Sequence, residues 1–141
     1  MQAISLNWWA VLAGVAINML VGSLWFNPKT FFPAWWKVVG KGDEQPGMKG
    51  GMGLTWVLTI LAGAVQAIFI GLAVSALGPL LGGPSLVSGL ETGALVWLGF
   101  IAPTYLVNKI FAGHGLKVWA IEAGNHLLDF LLLGALFGLW R

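Results

Sequence analysis

Leu54-Thr55-Trp56-Val57-Leu58-Thr59-Ile60-Leu61-Ala62-Gly63-Ala64-Val65-Gln66-Ala67-Ile68-Phe69-Ile70-Gly71-Leu72-Ala73-Val74-Ser75-Ala76-Leu77 is uncharged from end to end. A helix needs about 20 apolar residues to cross the hydrocarbon core of a bilayer, and this stretch supplies them. Three more segments have the same character, running over residues 6–26, 86–111 and 116–140. They are long apolar runs rather than strict alternations, which favours helices over a β-barrel. The expected fold class is an all-α integral membrane protein, a single transmembrane domain of residues 1–141 with four transmembrane helices.

Composition agrees. Of 141 residues, 9% are charged and 58% are hydrophobic, against about 25% charged in an ordinary soluble domain. The mean hydropathy is +0.86. So few charges cannot cover a water-soluble particle, and so apolar a chain is not a disordered one. The absence of cysteine removes disulfides, a thiolate nucleophile and a zinc–thiolate site. The first span has no Lys or Arg ahead of it, so it reads as a retained helix rather than a signal peptide.

Lysine and arginine orient the spans. Lys29, Lys37, Lys41 and Lys49 lie in the first connection, and Lys109 and Lys117 flank the third. The second connection, Gly78 to Ser85, has no charge, and Arg141 is the sole basic residue at the other side. This places connections 27–53 and 112–115 in the cytoplasm and both termini outside. Six cytoplasmic basic residues suit orientation rather than a nucleic-acid patch, so no nucleic-acid partner is expected. Trp8, Trp9 and Trp140 fall at the outer interface, and Trp25, Trp56 and Trp119 near the inner one. Trp97, deep in the third span, reads as a packing residue, with a stacking platform as the alternative.

Within the first connection, Phe31, Phe32, Trp35 and Trp36 recur at helical spacing, with Pro33 suited to a helix start. A short helix lying in the inner interface is expected there, with membrane lipid as its partner. Residues 40–53 read as a flexible link.

Residues of small size or short polar side chain recur four apart along the first two spans, at Ala10, Gly14, Asn18 and Gly22, then Gly63, Ala67, Gly71 and Ser75. Gly89 and Gly93 open the third span, and Gly134 and Gly138 close the fourth. Lipid gives helices no hydrophobic reason to associate, so close backbone approach matters, and these glycines are the expected packing seams. Four seams leave room for a homo-oligomer contact or a membrane-protein partner. Pro103 should kink the third span.

The most informative constellation is Glu122, Asn125, His126 and Asp129, all on one face of the fourth helix. Charges at membrane depth cost roughly 2.5–3.5 kcal/mol each on insertion scales, so the face must meet the bundle, a wet cavity or a partner. Asn18 and Gln66 lie at matching depth and would complete a polar midplane layer. Lys109 either snorkels or pairs with Glu122. Such a layer can pass protons, since His titrates near neutral pH, or bind a small polar solute. It can equally be hydrogen-bonding glue between helices. Metal or haem ligation is the weaker reading with two histidines in the chain, so neither a metal nor a cofactor is expected.

The residues Asn7-Trp8-Trp9-Ala10-Val11-Leu12, then Gly22-Ser23-Leu24-Trp25-Phe26-Asn27-Pro28 and Ala34-Trp35, resemble the small four-helix membrane family catalogued as domain of unknown function 1761. Leu98-Gly99-Phe100-Ile101-Ala102-Pro103-Thr104 and Gly124-Asn125-His126-Leu127 extend the resemblance over nearly the whole chain. It implies a prokaryotic-type inner-membrane protein of four helices, with no established activity. His126 fits the family's pattern in the last helix, whereas Glu122, Asn125 and Asp129 depart from it. Two functions stand side by side: an oligomeric transporter or channel-like protein using the polar layer, and an accessory subunit of a larger membrane complex. No nucleophile–base pair is readable, so an enzyme is not expected.

Overall fold

A computed structural model describes residues 4–40 and 42–140, which leaves Lys41 and Arg141 of the orientation argument outside it. The described residues are helical, without a strand. Helix α1 is Trp8–Trp25, α2 is Phe32–Val39, and α3 is Met52–Leu77, followed by a 3₁₀ turn over Gly78–Leu81. The third span is α4 (Leu86–Val96), a π-helical segment (Trp97–Ile101) and α5 (Ala102–Phe111), and α6 is Leu116–Leu139. The four spans are long and apolar enough to cross a membrane, as expected, and their ends fall close to the anticipated ones.

Local chemistry explains the ends. The Asn7 side chain accepts from the N–H groups of Trp9 and Ala10, capping α1. Ser85 caps α4 through a reciprocal exchange with Ser88, a capping box built from two serines. Helix α2 starts at Phe32 with Pro33 in its first turn, the short helix expected in the first connection. Its rings knit to the end of α1, with Phe26 and Trp35 centroids 5.0 Å apart and Trp25 and Phe31 centroids 4.6 Å apart.

The third span is broken in a defined way. Pro103 has no N–H to return to Gly99, four residues earlier, and the N–H of Ala102 reaches back five residues to the Trp97 carbonyl. The expected kink takes the form of this π segment.

Helix α6 is the axis of the bundle. It packs on α1, α3, α4 and α5, and 39% of its apolar window is buried against 22–28% for the others. The core, on the half of the bundle nearer the second connection, gathers Ala10, Val11, Ala67, Val74, Leu133 and Phe137.

The glycines meet neighbours unevenly. A Cβ on Gly89 would strike the Gly134 carbonyl, and one on Gly93 the Phe130 carbonyl. One on Gly134 would strike the Gly89 carbonyl, and one on Gly138 the Ser85 carbonyl. Helices α4 and α6 therefore touch backbone to backbone. Gly14 and Gly71 face side chains, Leu133 and Phe137 among them, and Gly63 faces Asn18. Gly22 departs from the expected seam: nothing lies within 4 Å of its Cβ position, because it borders a cleft rather than a helix.

Candidate functional site

A bilayer offers side-chain polar groups no water, so each must find a partner inside the bundle. Three of the four indole N–H groups with a partner do so at backbone carbonyls. Trp25 donates to the Ile121 carbonyl at 2.8 Å, Trp97 to Ala123 at 2.7 Å and Trp119 to Ala102 at 2.9 Å. Trp97 is thus tied to α6 across the interior. The fourth, Trp35, donates to Glu122 Oε1 at 3.0 Å.

Glu122 also holds Lys109, with Nζ 2.9 Å from Oε2 and both side chains 12% exposed. The pair anticipated between these residues is formed. Charge pairing spares both groups solitary burial, and the Trp35 bond docks α2 onto the bundle. Glu122 is therefore occupied one turn away from the rest of the polar face.

The other members lie deeper. Asp129 is 2% exposed. Its Oδ2 accepts from Asn18 Nδ2 at 2.6 Å, and the same Nδ2 donates to Gln66 Oε1 at 2.9 Å. One amide thus joins α1, α3 and α6 at mid-depth. His126 is held separately: its Nε2 lies 2.9 Å from Tyr105 Oη, and the two rings are 5.2 Å apart. Asp129 Oδ1, Asn125 Oδ1 and His126 Nδ1 are buried with no hydrogen-bond partner. Among the described residues, no three His, Cys, Asp or Glu side chains come together.

These groups border a cleft of about 800 Å³. Asn18, Gln66, Tyr105, Asn125 and His126 form its floor, and Asp129 lies one hydrogen bond behind them. Phe26, Phe32, Trp35, Trp56, Met19 and Met52 line the rest, toward the first connection. Beyond the floor, the bundle is filled by its apolar core. Five of the expected residues thus converge: Asn18, Gln66, Asn125, His126 and Asp129. Glu122 stands apart with Lys109 and Trp35. Tyr105 went unread in the sequence, although it is the chain's sole tyrosine and lies in the half of the third span nearer the third connection, beside Asn108 and Lys109.

No curated protein and no solved structure matches this chain. A family model described as "Protein of unknown function (DUF1761)" matches residues 9–138, which takes in all four spans but for Trp8 and Leu139, and every residue of the cleft floor. With nearly its whole length matched, the chain belongs to the DUF1761 family.

Proposed function

We propose that the protein is a small transporter of a prokaryotic-type inner membrane, working as a homo-oligomer. Its cleft admits protons or a small polar solute from the cytoplasmic side. The supporting observation is a wide cleft at membrane depth whose lining includes Asn125 and His126, each with a buried polar atom that has no partner, Asn125 Oδ1 and His126 Nδ1. Groups used only as helix glue are satisfied by their neighbours; these are not. The cleft opens toward the first connection, whose Gln45 and Pro46 line it and which carries Lys29, Lys37 and Lys49; this is the cytoplasmic side by the positive-inside rule.

The chemistry available is proton exchange. His126 has one ring nitrogen on Tyr105 and the other free, so a proton taken at one nitrogen can leave from the other. Asp129 supplies a second exchangeable site behind the Asn18 amide. The core closes the path above the floor in a single chain, so passage needs a conformational change or a second subunit.

Reconstitution into liposomes loaded with a pH-sensitive dye tests the reading. Proton flux should fall to the level of empty liposomes in the Asp129→Asn, His126→Ala double variant. Flux equal to that of the unsubstituted protein sinks the proposal.

A further inference from the structure

We infer that the cleft takes an amphipathic organic cation, with its ammonium head on the polar floor and its apolar body among the rings at the mouth. The inference rests on the reading of the cleft as a solute site, and it names the class of solute.

Charge is the first argument. Among the described residues, no Lys or Arg lines the cleft. Lys109, in α5, is already engaged by Glu122 at 2.9 Å. An anionic head would reach membrane depth with nothing to neutralise it. Asp129, by contrast, is 2% exposed and makes no ion pair among the described residues. Its carboxyl lies directly behind the floor, and in a water-poor interior its field is weakly screened.

Hydrogen-bonding capacity is the second. The buried atoms without a partner at and behind the floor are two acceptor oxygens, Asn125 Oδ1 in a floor residue and Asp129 Oδ1 behind it, together with His126 Nδ1. An ammonium group carries three donors and no acceptor, which is the complement of that set. A hydroxyl brings one donor, and a carboxylate brings none.

The mouth supplies the third. Phe26, Phe32, Trp35 and Trp56 line it with aromatic rings, a side-chain class whose faces attract cations and which shelters an apolar body. Met19 and Met52 add flexible apolar surface that can adapt to different bodies.

The test uses three probes of one shape: 2-phenylethylammonium, 2-phenylethanol and phenylacetate. Each is titrated by calorimetry into the full chain in nanodiscs of zwitterionic lipid, with empty nanodiscs subtracted. The cation should bind saturably and about tenfold or more tighter than either rival. Asp129→Asn should erase that preference. Should this variant not fold, Asn125→Leu removes a floor acceptor and should weaken cation binding about tenfold with the circular dichroism spectrum kept. Equal affinities for the three probes overturn the inference, as does a cation preference that survives in folded Asp129→Asn. Tightest binding of phenylethanol or phenylacetate overturns the cation and leaves the cleft a solute site. No saturable binding by any probe also overturns it, while the liposome flux assay decides transport separately.

Discussion

Replacing Gly89 with alanine puts a methyl group into the place where α4 and α6 touch. The new Cβ would collide with the Gly134 carbonyl oxygen, and it would lie 2.8 Å from the Gly134 carbonyl carbon and 3.0 Å from Gly138 Cα. All three are backbone atoms, so no side chain can swing aside. The helices must separate by something on the order of 1 Å, which loosens a packed seam. Ser88 and Thr92, both fully buried, lie in that seam. Overpacking of this kind costs about 1–3 kcal/mol, and alanine's better helix propensity returns about 0.5–1 kcal/mol. Gly22→Ala is the control, because its Cβ position has nothing within 4 Å. It should be neutral or gain about 0.5–1 kcal/mol. The two variants should therefore differ by roughly 2 kcal/mol when unfolded by SDS from mixed micelles and followed by tryptophan fluorescence. Gly134→Ala should behave like Gly89→Ala, and the double variant should lose less than the sum, since both substitutions force the same separation. A Gly89→Ala stability within about 0.5 kcal/mol of Gly22→Ala would refute the backbone-contact argument.

Two further outcomes follow from the polar interior. Asn18→Ala strips the donor from both Asp129 Oδ2 and Gln66 Oε1, leaving two buried acceptors unpaired. At about 1–3 kcal/mol for each orphaned group, the same SDS titration should show a loss of at least about 2 kcal/mol, and no loss would mean that the bridge is not formed. Pro103→Ala restores an N–H that can bond the Gly99 carbonyl, so the π segment should contract to an α-helix. Hydrogen exchange at residue 103 should then be protected, and Tyr105 ring signals should lose their coupling to His126. A rapidly exchanging amide at 103 would show that the proline is not what holds the π segment open.

Much of the fold was legible because membrane crossing leaves few options. An apolar run of the right length is a helix, and its midpoint fixes the depth of each polar residue. Depth alone brought Asn18, Gln66 and Asp129 to one level, and the structure joins them through a single amide. The glycine spacing likewise anticipated the α4–α6 seam. Depth does not give azimuth, and there the sequence stopped. Gly22 shares its spacing with Gly14 yet turns to the cleft, and Glu122 shares a face with His126 yet is taken by Lys109 and Trp35. Trp35 belongs to a connection whose docking no helical period records.

Tyr105 shows why azimuth was out of reach. Each residue of an α-helix turns about 100°, and a π segment takes in one residue beyond the α count. Everything downstream is thereby rotated by about one position relative to an uninterrupted helix. Counted as one α-helix from Leu86, the third span would not bring residue 105 to the azimuth it occupies beyond the π segment. With Trp97–Ile101 in π form, α5 instead turns Tyr105 toward α6 and places its hydroxyl 2.9 Å from His126. Pro103 carried that information in the sequence, but a missing N–H can be resolved by a bend, by a break or by a change of register. The contacts that choose among these are tertiary. Trp97, at the start of the π segment, donates to the Ala123 carbonyl, and Trp119 on α6 donates back to the Ala102 carbonyl at the segment's end. These two indole bonds pin both ends of the π turn to α6. The register that forms the floor of the cleft is therefore set jointly by one proline and two tryptophans, none of which lines the cleft itself.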